Sequence, residues 1–115
     1  MGRIHRLKKN AEFQRIYRKG SYMATKALVA YIRPNNLMET RIGITVSKKY
    51  GKSVKRNRIR RLITESYRIL KDNVKPGYDI VFVARKPDTY ENIGLSDIHA
   101  VMSYILDKLN VLKRN

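Results

Sequence analysis

Between residues 48 and 61 the chain reads Lys-Lys-Tyr-Gly-Lys-Ser-Val-Lys-Arg-Asn-Arg-Ile-Arg-Arg, with eight basic residues and no acid. The segment runs into the start of a predicted helix, where the backbone dipole favours anions and disfavours cations. Arg56/Arg60 and Arg58/Arg61 fall at helix-neighbour spacing, where like charges repel. Any fold must keep this segment at its surface, and a fold with no use for the charge would gain stability by shedding it. The economical explanation is a polyanion seated here in the working state.

The rest of the charge is distributed in the same sense. Residues 1–75 hold 21 basic and 4 acidic residues, a balance of +17, whereas residues 76–115 hold 5 of each and are neutral. An excess confined to one part of a chain is the mark of a directed binding surface. A hydrophobic share of 43% in 115 residues fits one globular domain, residues 1–115, with a single core. The absence of cysteine excludes a disulfide framework, a thiolate nucleophile and a zinc knuckle. No apolar run approaches the roughly 20 residues of a membrane span, and no secretory-type apolar stretch follows the basic start. The expectation is a soluble, cytoplasmic protein without a membrane partner.

Periodicity places the elements. Asn10 is expected to cap a short helix with Phe13, Ile16 and Tyr17 on one face, stopped at Gly20. A strand follows at about 27–33, ended by Pro34-Asn35-Asn36. Over 41–47, Ile42, Ile44 and Val46 alternate with Gly43, Thr45 and Ser47, the period of a strand buried on one face. Ser53 is expected to cap a central helix reaching about Lys71, with Ile59, Leu62, Ile63, Ser66 and Leu70 in one stripe. Pro76-Gly77 makes a turn. The nearly continuous apolar run 78–85 predicts a central strand covered on both faces. After a polar loop over 86–94, a last helix capped by Ser96 carries Ile98, Val101, Met102, Ile105, Leu106 and Leu109 inward. The order helix, strand, strand, helix, strand, helix describes an α+β fold, a two-layer α/β sandwich with helices on a small sheet.

On the central helix, Arg56 and Arg60 flank one side of the apolar stripe and Arg58 the other, while Asn57, Arg61 and Arg68 point away. A guanidinium suits a polyanion because its planar fork pairs bidentately with phosphate and stacks on bases. Phe13 and Tyr17, one helical turn apart, and Tyr31 in a strand fit either of two roles. Aromatics beside a cationic face stack unpaired bases with little sequence preference, but their spacing alone favours plain core packing. Catalytic candidates are poor. His5 lies in the basic extension and His99 beside the last helix stripe, where solvation or packing is the simpler role. Asp79, Asp88, Glu91 and Asp97 are scattered without metal-ligand spacing, and the glycines form no phosphate loop.

Several stretches occur in a telling order. They are Arg6-Leu7-Lys8-Lys9-Asn10 with Glu12-Phe13, then Gly43-Ile44-Thr45-Val46-Ser47-Lys48-Lys49, then Val54-Lys55-Arg56-Asn57-Arg58-Ile59-Arg60-Arg61-Leu62-Ile63, then Ala84-Arg85-Lys86-Pro87. From about Arg3 to the last helix the sequence resembles the protein component of bacterial ribonuclease P. The resemblance implies a small mixed sheet with helices, like the second domain of ribosomal protein S5, with a left-handed βαβ crossover. It further implies an accessory subunit of an endoribonuclease, a hydrolase that removes the 5′ leader of precursor tRNA. In such enzymes a catalytic RNA performs the cleavage and holds the Mg²⁺, so the protein would carry no catalytic residue, metal or cofactor and would require no protein partner. By position, Lys52, Lys55, Arg56, Asn57, Arg58, Arg60 and Arg61 would face the catalytic RNA. Phe13, Tyr17 and Tyr31 would line a cleft for the single-stranded leader, with Lys48, Lys49, Arg85 and Lys86 holding its phosphates. Position 17 is often phenylalanine in that family, and tyrosine keeps the stacking plane.

Three other readings explain less. A structural RNA-binding protein accounts for the charge but not for an aromatic cleft. A DNA-binding helix lacks the short turn and partner helix of the helix-turn-helix. A self-contained nuclease lacks an acid/base constellation.

Overall fold

In a computed structural model, which describes residues 3–88 and 93–113, the chain forms a five-stranded mixed sheet with three helices. In chain order these are β1 (His5–Arg6), α1 (Asn10–Lys19), β2 (Ser21–Ala24), β3 (Leu28–Pro34), β4 (Arg41–Thr45), α2 (Ser53–Leu70), β5 (Tyr78–Ala84) and α3 (Leu95–Lys108). The strand order is β1-β4-β5-β3-β2. β4 runs parallel to both β1 and β5, while β3 is antiparallel to β5 and β2. α2 makes the crossover between the parallel neighbours β4 and β5, because parallel strands cannot be joined by a tight turn.

Strand alternation splits the side chains between two faces. Leu28, Ala30, Ile32, Ile42, Ile80 and Phe82 form the main core with Ile59, Ile63, Tyr67 and Leu70 of α2 and Ile98, Met102, Ile105 and Leu106 of α3. Val81 points the other way and meets Leu7 and Ile16, with Phe13, Tyr17, Tyr31 and Val83 packed around them. As expected from its apolar run, β5 sits at the centre with both faces covered. Ile16 is the one fully buried side chain of α1, and such a residue contributes about 1.5–3 kcal/mol. In the main core, Tyr67 stacks obliquely on Phe82 at 6.1 Å, and burial pushes its hydroxyl up to about 12.

Two strands were not expected from the sequence. β1 is two exposed polar residues, and β2 has only Met23 turned inward, so neither carries an apolar alternation. The helix starts also differ from the expectation. Lys9, Lys52 and Gly94, rather than Asn10, Ser53 and Ser96, hold the cap positions. At α1 the free backbone donors are met from inside the helix: Glu12 Oε1 accepts the N–H of Lys9 at 3.1 Å and of Lys8 at 3.3 Å. At α3 Asp97 does the same for the Gly94 N–H at 2.9 Å. A carboxylate in the first turn also complements the helix dipole. The expected turn at Pro76-Gly77 forms, with Gly77 at φ +93, a region open to glycine at little cost.

Candidate nucleic-acid interface

Register builds a row of side chains across the sheet face that α1 partly covers. Tyr22 pairs with Tyr31, Tyr31 with Val81, and Val81 with Gly43, so all four point to that face. The next row toward the carboxyl ends of β4 and β5 is Ala24, Val29, Val83 and Thr45. Phe13 lies on Gly43: a Cβ there would come within 2.5 Å of two Phe13 ring carbons, so only glycine lets the ring settle. Tyr17 donates to or accepts from Thr45 Oγ1 at 2.8 Å and meets the Tyr31 ring edge-on, 5.0 Å between centroids. Phe13, Tyr17 and Tyr31 are all half-buried. They pack on the buried Leu7–Ile16–Val81 cluster and keep part of each ring exposed.

The seating of α1 is fixed by an ion network at the far end of that face. Arg41 grips Asp79 with two parallel hydrogen bonds of 2.8 Å and reaches Glu12 Oε2 at 2.9 Å. Asn35 donates a further 2.9 Å bond to Asp79. Asp79 is buried, so its charge depends on these partners. The backbone N–H groups at the start of α1, chiefly that of Lys9, and the Arg41 guanidinium hold the Glu12 carboxyl below its ordinary value of 4.5. Asp79 and Glu12 are therefore committed to holding α1 on the sheet. Asp88 and Asp97 stay apart from them, Asp97 accepting the Gly94 N–H in the first turn of α3, and Glu91 lies outside the described residues. Among the described residues no three His, Asp or Glu side chains come together as a metal site.

Cations flank this face. The chain leaves the carboxyl end of β4 into Lys48 and Lys49, and that of the neighbouring β5 into Arg85 and Lys86, all four exposed. The Arg85 guanidinium donates to the Thr25 carbonyl at 3.0 Å, which fixes it over the β2–β3 turn. Lys52, Lys55, Asn57, Arg58, Arg60 and Arg61 are exposed on α2. Arg56 is half-buried, with a hydrogen bond of 3.3 Å to Ser53 Oγ. Among the described residues no carboxylate pairs with Arg56, Arg58, Arg60 or Arg61. Arg58 and Lys55 edge a hollow with Tyr50 and Ile59 on one flank of α2. On the other flank Arg60, Arg61 and Thr64 line a groove of about 360 Å³ together with Arg6, Phe13 and Gly43. That groove exists because β1 pairs only with Arg41 and Ile42 of β4, which leaves the edge of β4 beyond them uncovered. The basic helix and the Phe13 ring thus meet around one open strand edge.

Known proteins are similar to this chain in sequence and in fold. Residues 1–110 match the ribonuclease P family. The chain belongs to the ribonuclease P protein family. It is 45% identical over 112 residues to the ribonuclease P protein component of Alkaliphilus oremlandii, covering 97% of this chain and 96% of that one. To the component of Caldanaerobacter subterraneus subsp. tengcongensis it is 51% identical over 103 residues, 90% of this chain and 84% of the other. Its fold is similar to that of the Staphylococcus aureus RNase P protein, with a TM-score of 0.84 at 36% identity over 96% of this chain and all of that one. The Thermotoga maritima RNase P protein superposes with a TM-score of 0.83 at 27% identity, covering 90% of this chain and 96% of the other. As a ribonuclease P protein it is a protein subunit of an endoribonuclease complex acting in tRNA processing, with RNA as its partner. No helix among its described residues is long and apolar enough to cross a membrane.

Against that family background, the residues expected to act together fall into contiguous groups. Phe13, Tyr17 and Tyr31 share one cluster, and Lys48, Lys49, Arg85 and Lys86 crowd one end of it. Lys52, Lys55, Arg56, Asn57 and Arg58 occupy the first turns of α2. Arg60 and Arg61, expected on the same surface as Arg58, border the groove that Phe13 floors. The sequence reading did not single out Arg6, Thr45 or Tyr22. Arg6 and Tyr22 sit on the two unexpected strands, and only their pairing registers bring them to the site. Thr45 is legible solely as the alternate position of its strand.

Proposed function

We propose that this chain docks on the catalytic RNA of ribonuclease P through Lys52, Lys55, Arg56, Asn57, Arg58, Arg60 and Arg61. The 5′ leader of precursor tRNA then lies as a single strand in the cleft of Phe13, Tyr17 and Tyr31. Lys48, Lys49, Arg85 and Lys86 take its phosphates. The observation that carries this reading is the continuity of the two surfaces around the open edge of β4, where Arg60 and Arg61 share a groove with Phe13. Guanidinium groups on a rigid helix suit fixed docking to folded RNA. Half-buried rings in an open cleft suit a strand of variable sequence, because every base has a face to stack, worth about 1–3 kcal/mol each.

Cleavage itself belongs to the RNA subunit, which holds the Mg²⁺ for hydrolysis. The protein contributes affinity and position, needs no cofactor or second protein, and works as one domain in the cytoplasm. Its buried carboxylate, Asp79, is occupied by Arg41 and Asn35, which supports a role without acid–base chemistry. The test is leader removal from a precursor tRNA at low magnesium by a bacterial ribonuclease P RNA, with and without the protein. Accurate cleavage should be restored by the protein and be absent with the protein alone. Site-specific cleavage by RNA-free protein would overturn the assignment of catalysis.

A further inference from the structure

Tyr22 is 65% exposed, and it lies directly opposite Tyr31 in the β2–β3 ladder. Its ring is tilted only 32° from that of Tyr31, with centroids 5.6 Å apart, whereas Tyr17 meets Tyr31 nearly at right angles. The three rings make a row from α1 to the rim of the sheet. β2 is the terminal strand of the sheet, so among the described residues no further strand covers Tyr22 from the outside. A tyrosine used for packing would hide its ring, as Tyr50 and Tyr67 do at 5% and 3% exposure. Charge around it favours a polyanion: from Phe13 to Met38 the sequence has Arg15, Arg18, Lys19, Lys26 and Arg33 and no acid. Lys19 and Lys26, both exposed, stand just before and just after β2.

We propose that Tyr22 extends the leader-binding cleft to the edge of the sheet, where it stacks one further unpaired base of the precursor. The inference rests on the cleft reading above and adds to it a position that sets how much leader the protein holds. The strand would pass from the Phe13–Tyr17–Tyr31 cleft over the outward face of Tyr22, its phosphates near Lys19 or Lys26. Tyr22 is a positioning residue here, remote from the bond that breaks.

The test uses the assembled holoenzyme and precursor tRNAs whose leaders are lengthened one nucleotide at a time. Dissociation constants are measured for the unmodified protein, Tyr22→Ala, Tyr22→Phe and Phe13→Ala. The expected result is a threshold. For leaders long enough to reach the edge strand, Tyr22→Ala weakens binding about fivefold, the lower end of a single stacked base. Below that length the variant matches the unmodified protein, and Tyr22→Phe matches it throughout. No loss with Tyr22→Ala at any length, while Phe13→Ala still weakens binding, would overturn the inference and leave the cleft standing. Equal loss at every length, leaderless tRNA included, would show a merely structural role and overturn it too. Indifference of both Phe13→Ala and Tyr22→Ala would remove the cleft reading itself.

Discussion

Gly43 decides how closely the Phe13 ring sits on β4. The Phe13 ring occupies the space that a β-carbon at position 43 would need, at a separation of 2.5 Å that real carbons do not tolerate. Gly43→Ala should push the ring off β4 and cost about 1–3 kcal/mol of stability as overpacking. Denaturant titration would show the loss, and precursor affinity should fall roughly as far as in Phe13→Ala. Phe13→Ala itself should weaken precursor binding by about 1–3 kcal/mol while its affinity for the catalytic RNA is spared. Binding measured separately to each RNA checks that, and equal losses to both would sink the division. At this scale the sequence was half legible. An aromatic pair beside a cationic helix announced itself, but its spacing could not separate core from cleft. The glycine beneath the Phe13 ring read only as the small member of an alternating strand.

Helix α1 is an element held by charge as much as by Ile16. Glu12 closes its first turn and meets Arg41, which also neutralises Asp79. Because the folded state lowers the Glu12 pKa from 4.5, the folded protein binds that proton more weakly than the unfolded chain does. The stabilisation is complete above 4.5 and is lost as pH falls through the lower, folded value. Unfolding midpoints should therefore drop on acidification below that point, and less steeply in Glu12→Gln, as denaturant melts across the acidic range would show. In α2 the corresponding prediction concerns RNA. Arg58→Ala should weaken assembly and lower the salt slope of binding by about one unit, since one fewer phosphate is neutralised. An unchanged slope would mean that Arg58 meets no phosphate. The long elements were readable because α2, α3 and β4 carry their own apolar period and β3 and β5 are runs of mostly apolar residues. β1 and β2 were not, because a strand of two or four mostly exposed residues exists only through its neighbours. The helix starts moved by one residue at α1 and α2 and by two at α3; at α1 and α3 a first-turn carboxylate, Glu12 or Asp97, accepts the cap N–H.

The whole molecule carries its +17 within a single small fold, and the repulsion must be offset when no RNA is bound. A short polyphosphate or single-stranded RNA that binds only the folded state should raise the melting temperature by about 10 °C at a hundredfold excess over its Kd. Potassium chloride of equal ionic strength should do far less, and an equal shift with the simple salt would mean that screening alone is at work. β4 and β5 end side by side, and Lys48, Lys49, Arg85 and Lys86, all exposed, leave those ends together. The fold therefore has a cationic pole. In the field of a folded RNA it turns while still diffusing and arrives with its basic pole leading, so few collisions are spent in the wrong orientation. Salt would blunt this by slowing arrival, while departure, governed by stacked rings in close contact, would change much less.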